Sequence, residues 1–536
     1  MVEHPVTVDP ARLDVADRWR LCFPDGRQKW GQFCEHLGVD RECHDTTVTW
    51  ARVTTAERDT AADRRIAPFA AAVVLPIAGV VALLHCAASV FGGYWFDEVY
   101  MLAIGRYHLD WGSADQPPMA PALAALMDAI APGSLVALRL PAVLATAGAV
   151  VVAGLIAREL GCDRRAQGLT AAAQATVLWT TLTGHWLTPY TLEPVQWLLL
   201  IWLLVRWVRL RDDRLLLALG VVAGMAALTK FQVLLLCLVM VVAVAAVGPR
   251  ALLRRPLLWA GSGIAAVVAA PTLVWQYMHD WPQLRMAPVV AGEAEALYGG
   301  RPGIAVQMIV FAGVAGVALM MYGLWLLFRR DELRDYRFIG VTFVVLYVLF
   351  LATAGRPYYV AGLYAPLAAA GCLGMQRRRE SDPTRRRWLV WPVYAVSAAL
   401  AVGALILSAS VVRSDVGEQI ARRTADAYRA LPADQRERTV VMSDSYIVAA
   451  YMDGYSTRYH LPEAYSTNRS YGYFAPPPVG HDTVLYVGAD ADHVRPYFTD
   501  VRPVGDIGDD LHAYLLTGQR QSWQQLWPQL RTLTVS

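Results

Sequence analysis

The chain has 536 residues, of which 17% are charged and 56% hydrophobic, and its formal net charge is +3. Soluble proteins carry about 25% charged residues, so a string of water-soluble domains is excluded for want of polar surface. The charge lies in separated arginine blocks, not in a basic stripe interleaved with aromatic platforms, which excludes a general nucleic-acid binder; the seven cysteines form no CxxC pair, which leaves a zinc ribbon or redox motif without support.

Residues 1–66 are polar and mixed in charge, without the basic start and short apolar core of a cleavable signal peptide. A cytoplasmic N-terminal segment followed by an uncleaved signal anchor is therefore expected. The stretch from Val53 reads as an ordinary cytoplasmic leader, and the residues before it as an upstream extension from a misassigned start. Intact mass of the native protein tests this, and a chain beginning at Met1 would refute it.

A membrane span takes about 20 mostly apolar helical residues. The pattern predicts spans over Ala67–Phe91, Leu140–Ala157, Ala166–Gly184, Leu187–Val205, Leu215–Thr229, Phe231–Gly248, Leu257–Met278, Ile304–Phe328, Phe338–Ala354, Tyr358–Met375 and Trp388–Val412, about eleven in all. The run Leu215–Gly248 is long for one span and short for two. Reading it as two puts the clusters Arg158/Arg164/Arg165, Arg206/Arg209/Arg211/Arg214, Arg250/Arg254/Arg255, Arg329/Arg330/Arg334/Arg337 and Arg377–Arg379 with Arg385–Arg387 on one side. By the positive-inside rule that side is cytoplasmic, in the cell membrane. The predicted fold is an all-α polytopic membrane protein over residues 67–412, with a small extracytoplasmic α/β domain over 413–536. That domain's strands are expected at Thr439–Met442, Thr483–Val487 and His512–Leu516.

The outer face carries few cations, chiefly Arg106, Arg139, Lys230, Arg285, Arg301 and Arg356, and scarce cations are the better candidates for chemistry. The first external loop, 92–139, opens on Tyr94-Trp95-Phe96-Asp97-Glu98. Two carboxylates beside a low-dielectric boundary need compensation by a cation, a metal or hydrogen-bond donors, unless they are simply a solvated loop start. Further on, Asp115-Gln116-Pro117-Pro118-Met119-Ala120-Pro121 predicts a stiff, extended strut, since each proline restrains itself and its predecessor.

Glu193, in the fourth span, belongs to a class that usually faces a cavity or a partner. Lys230 between spans five and six is a possible partner or anion ligand, its ordinary alternative being interfacial snorkelling. The turn Gly355-Arg356-Pro357-Tyr358-Tyr359 offers a guanidinium suited to phosphate and two phenols. His279, beside Asp280, ends the seventh span, where a histidine commonly caps a helix.

The order of these signals resembles the GT-C glycosyltransferases of the protein O-mannosyltransferase and lipid A aminoarabinose transferase type, over about Ala67–Val412. The signals are the aromatic-Asp-Glu after the first span, the diproline loop, the acid in span four, Thr229-Lys230-Phe231, and Arg356-Pro-Tyr-Tyr-Val-Ala-Gly-Leu-Tyr-Ala-Pro366. The tail, with Ser443-Asp444-Ser445-Tyr446, Leu461-Pro462 and Tyr471–Pro478, is similar to that of bacterial members. The resemblance implies a polyprenyl-phosphate-linked sugar donor used on the external face, and inverting transfer to a lipid, glycan or protein acceptor. It implies Asp97 as the catalytic base and Glu98, Arg106, Gln116, Glu193, Lys230, His279, Arg356, Tyr358 and Tyr359 as substrate-binding residues. Gln116 departs from the basic residue that several members carry before the diproline, whereas Arg356 keeps a cation where others often have lysine. A divalent cation on the oxygens of Asp97 and Glu98 is a further possibility.

Two other readings compete. A lipid-linked sugar flippase or other transporter also needs many spans, but such proteins commonly show inverted repeats and mid-membrane broken helices, whereas the polar residues here gather at one face. A non-catalytic membrane protein with a wall-binding external domain is indifferent to Asp97→Asn.

Overall fold

The computed structural model describes residues 66–382, 388, 390–412, 416–508 and 510–534. The expectations for the N-terminal segment and its start, and for Arg385–Arg387 and Arg413, lie outside the described residues. The helical part runs through α1 (Ala71–Ser89), α2 (Phe96–Tyr107), α3 (Met119–Ile130), α4 (Leu135–Glu159), α5 (Arg164–Ala175), α6 (Leu178–Thr183), α7 (Pro189–Leu210), α8 (Arg214–Ala227) and α9 (Gln232–Val247). It continues through α10 (Pro256–Met278), α11 (Pro282–Gly292), α12 (Ala294–Tyr298), α13 (Gly300–Val310), α14 (Gly313–Arg329), α15 (Arg337–Ala352), α16 (Tyr364–Ser381) and α17 (Val390–Val411).

Seven helical stretches among the described residues are long and apolar enough to cross a membrane, or eight if the bent pair α13–α14 is one span. The sequence predicts eleven, and the difference has local causes. Leu215–Gly248 does form two helices, but α8 and α9 have only 14 and 16 residues. Ala166–Gly184 is not one helix, because it breaks between α5 and α6. Ile304–Phe328 is not straight either, since α13 and α14 meet at 89°.

The two breaks meet each other. The amide of Leu178 donates to the carbonyl of Phe311 at 2.9 Å, and Ser397 Oγ of α17 donates to Thr176 Oγ1 at 2.9 Å. Backbone groups freed inside a membrane must be satisfied internally, and each broken span supplies what the other lost. Gly313 makes this approach possible: a Cβ there would lie 2.4 Å from the carbonyl oxygen of Thr176, at a φ of +74° that only glycine adopts cheaply.

The arginine turns do gather at one end. Glu159, at the end of α4, is fully buried and accepts from Arg158 at 3.0 Å, Arg206 at 2.9 Å and Arg209 at 2.5 Å. Asp163 pairs with Arg379, and Glu332 with Arg377, so loops far apart in sequence share this face.

At the opposite end the loop that the sequence predicts to be external folds into α2 and α3. The stretch expected to stay extended through Pro121 instead starts α3 directly after Pro118. A proline in a first helical turn loses no intrahelical bond, so Pro121 suits a helix start as well as a strut.

Beyond α17, helix α18 (Val416–Arg429) and a five-stranded sheet follow, with β1 (Thr439–Ser443), β2 (Ala464–Ser466), β3 (Thr483–Gly488), β4 (Phe498–Gly508) and β5 (Leu511–Gln519) in the order β2-β1-β3-β5-β4. β1 runs parallel to β2 and β3, and β5 antiparallel to β3 and β4. β1 and β3 are buried at every position, as a strand covered on both faces requires. Helix α19 (Tyr446–Gly454), which follows β1, packs on α2 so closely that a Cβ at Gly454 would meet Val99 Cγ2 at 2.2 Å. The sheet domain thereby forms the roof of the first loop.

Candidate active site

Asp97, Gln116, Lys230, Arg356, Tyr358 and Tyr359 line one cavity of about 440 Å³ between the sheet domain and the helix ends opposite the arginine turns. A second cavity, of about 310 Å³ between α7, α8, α9 and α10, is walled almost wholly by apolar side chains such as Leu204, Leu216 and Met240. Lacking acids and cations, it offers nothing for polar chemistry.

Asp97 stands in the first turn of α2, where the free amides favour a carboxylate. Its Oδ2 accepts from Tyr190 Oη at 3.1 Å, and that phenol oxygen accepts in turn from Trp95 Nε1 at 2.8 Å. Burial pushes the Asp97 carboxyl up to about 6, against the opposing pull of the Tyr190 hydrogen bond and of Arg469.

Lys230 sits in the turn between α8 and α9. Its Nζ lies 3.2 Å from Glu193 Oε2 and faces the rings of Tyr358 and Tyr359 at 4.9 and 4.2 Å. Glu193 is thus behind the cavity wall as the counter-ion of Lys230, not in the lining. Arg356 precedes the 3₁₀ turn Pro357–Leu363, whose opening proline fixes the exit of the chain. Its guanidinium pairs with Glu293, at the junction of α11 and α12, and lies over the Tyr298 ring at 5.5 Å.

Besides Glu193, three expected residues are not brought there. Glu98 neighbours Asp97 in sequence, but successive residues on a helix point about 100° apart. Its carboxylate turns inward to Arg139, at 2.5 Å, with both side chains fully buried. Arg106 holds Asp128 at 2.8 Å and the Asp453 carbonyl at 2.8 Å, fastening the loop to the sheet domain. His279 stacks on Trp275 with ring centres 3.9 Å apart, and its Nδ1 lies 2.8 Å from the Trp275 carbonyl oxygen, as a helix-end histidine does. Because Glu98 belongs to Arg139, the adjacent acids form no joint ligand set for a divalent cation. No group of three His, Cys, Asp or Glu gathers as a metal site among the described residues.

The cavity also holds residues that the sequence did not mark. Arg469, after β2, has a left-handed φ of 48° and lies 2.7 Å from Glu293 Oε1, 3.6 Å from Asp115 Oδ2, and 4.9 Å from the Tyr446 ring centre. Asp115 lies beside the diproline, yet was legible only as part of a strut. Glu293 and Arg469 carry no local signal, since their partners are more than 60 residues away.

The family model described as dolichyl-phosphate-mannose-protein mannosyltransferase matches residues 115–275, less than a third of the chain. No curated protein sequence matches. Among solved structures, ArnT from Cupriavidus metallidurans in the apo state is similar over 82% of this chain and 97% of its own, at 12% identity and a TM-score of 0.59. The same protein bound to undecaprenyl phosphate is similar over 83% and 98%, again at 12% identity, with a TM-score of 0.56. The chain thus shares its overall fold with ArnT, and its residues 115–275 are similar to the mannosyltransferase family model.

Proposed function

We propose that the protein transfers a sugar from a polyprenyl-phosphate donor to a hydroxyl acceptor, with inversion, in the cavity at the outer face of the cell membrane. In this reading residues 1–66 are cytoplasmic, 67–412 form the transferase proper and 413–536 stand outside the membrane. The observation that carries it is the meeting of one acid, Asp97, with two cations from distant turns, Lys230 and Arg356, around a single cavity. ArnT, with the same fold, has been solved with undecaprenyl phosphate bound, which supports a lipid phosphate as donor.

A polyprenyl phosphate leaves as an anion, so the chief requirement is charge stabilisation on the leaving oxygen, which Lys230 and Arg356 supply. Asp97 takes the acceptor's proton while the acceptor oxygen bonds to the anomeric carbon. In the same displacement the bond from that carbon to the phosphate oxygen breaks, its electron pair leaving with the lipid phosphate. Tyr190 steadies the carboxylate. A transporter would use its helix breaks as binding points; here those between α5 and α6 and between α13 and α14 are satisfied by each other and lie outside the cavity lining.

Incubating membranes with radiolabelled polyprenyl-phosphate mannose and arabinose, then asking which fraction becomes labelled, tests the reading and identifies sugar and acceptor class. Label that never leaves the donor refutes it. Charged hydrogen bonds are worth about 1.5–3 kcal/mol, so Lys230→Ala or Arg356→Ala should raise the donor KM roughly 10- to 100-fold. Unchanged donor kinetics in both variants would remove them from the phosphate site.

Asp97 works as a base only when ionised. With its carboxyl near 6, kcat/KM should fall as pH drops through about 6, whereas an ordinary aspartate would hold activity down to about 4. A pH profile of the free enzyme, flat between 7 and about 4.5, would take the base role from Asp97.

A further inference from the structure

Arg469 belongs to the sheet domain, yet its guanidinium reaches the cavity that the membrane helices enclose. Its reach is built, not incidental. The backbone at Arg469 adopts a left-handed φ that costs a side-chain-bearing residue energy, and its amide donates to the Thr532 carbonyl at 2.8 Å. Next to it, Ser470 Oγ lies 2.6 Å from Asp115 Oδ1 and the Ser470 amide donates to Tyr100 Oη at 3.0 Å, so the turn is fixed to the first external loop.

Arg356 and Arg469 share one counter-ion, since the two oxygens of Glu293 each accept from one of them. A carboxylate held between two guanidiniums is the geometry these groups also offer a phosphate. Moreover, Arg469 Nε and Arg356 Nη1 are buried donors with no acceptor in the structure. Donors so buried are normally satisfied, and a phosphate has more acceptor oxygens than the carboxylate that bridges the two arginines.

We propose that Arg469 supplies a third cation to the donor's phosphate site and that Glu293 is the counter-ion which the phosphate displaces. The sheet domain then completes the active site rather than merely covering it. This rests on the polyprenyl-phosphate reading above, and the test separates the two.

Full-length protein in nanodiscs is titrated with undecaprenyl phosphate, which needs no knowledge of the sugar, and binding is followed by tryptophan fluorescence. Arg469→Gln should weaken binding roughly 10- to 100-fold, Arg469→Lys by less, and an Arg495→Gln control on the exposed domain surface not at all. Glu293→Gln should bind several-fold tighter, because a neutral amide competes poorly with a phosphate for two guanidiniums. If wild type does not bind the lipid phosphate, the donor reading fails. If wild type binds and Arg469→Gln binds equally well, with the same thermal midpoint as wild type, Arg469 is no phosphate ligand. Weaker binding by Glu293→Gln would make Glu293 a support for the arginines and overturn its role as a displaced counter-ion. Should Arg469→Gln fail to fold, Arg469→Lys decides the matter through its donor KM: an unchanged value at wild-type stability overturns the proposal.

Discussion

Asp97→Asn is expected to lower kcat for sugar transfer by about 10²- to 10⁴-fold, the usual contribution of a positioned general base, while the donor KM stays within a few-fold of wild type. The substitution keeps the volume and leaves an oxygen that still accepts from Tyr190, so the 3.1 Å contact and the turn around it have no reason to move. What disappears is the proton acceptor. Residual activity should also lose its dependence on a group near pH 6, because the carboxyl that burial raises to that value is gone. Rate and pH profile are read in the same radiolabel assay. A variant that turns over at the wild-type rate would show that Asp97 takes no proton, and would revive the transporter and wall-binding readings, both indifferent to it.

The outer-face cations and the first acid were legible in the sequence for a simple reason. Charge is so scarce on that face that each instance stands out against apolar runs of about 20 residues. Three of the five strands of the sheet domain, β1, β3 and β5, were legible too, because they are short, largely apolar runs between turns, whereas the three-residue β2 and the mostly exposed β4 were not. What escaped depends on partners distant in the chain. The break after Thr176 and the bend before Gly313 are invisible in hydropathy, since the hydrogen bonds that satisfy them join segments more than 130 residues apart. Arg469 meets Asp115 across more than 350 residues, and nothing around either announces it. The different fates of Asp97 and Glu98 needed one local fact, that α2 is already helical at Phe96. Once it is, one acid must face the cavity and the other the protein interior.

That divergence gives a second large effect, opposite in kind. Arg139 donates through Nε to both oxygens of Glu98 at 3.0 Å and through Nη2 to the Gly93 carbonyl at 2.8 Å, with Nη1 near the carbonyl oxygens of Ser89 and Phe91. The pair thus joins the end of α1, the start of α2 and the body of α4, and neither side chain touches solvent. Removing one partner strands a buried charge, at a cost of about 3–5 kcal/mol, whereas replacing both with apolar groups is far milder. Arg139→Met alone should therefore reduce accumulation in the membrane and lower the thermal-inactivation temperature sharply. The double variant Glu98→Met/Arg139→Met should recover part of the loss, but not all, because the three carbonyl groups remain without their donor. Asp97→Asn should move stability little and activity greatly; the Glu98–Arg139 variants should do the reverse, losing activity in proportion to folded protein. If purified, folded Glu98→Gln enzyme instead showed a large fall in kcat at unchanged thermal stability, Glu98 would act in the reaction itself, and the division of labour between the adjacent acids would be wrong.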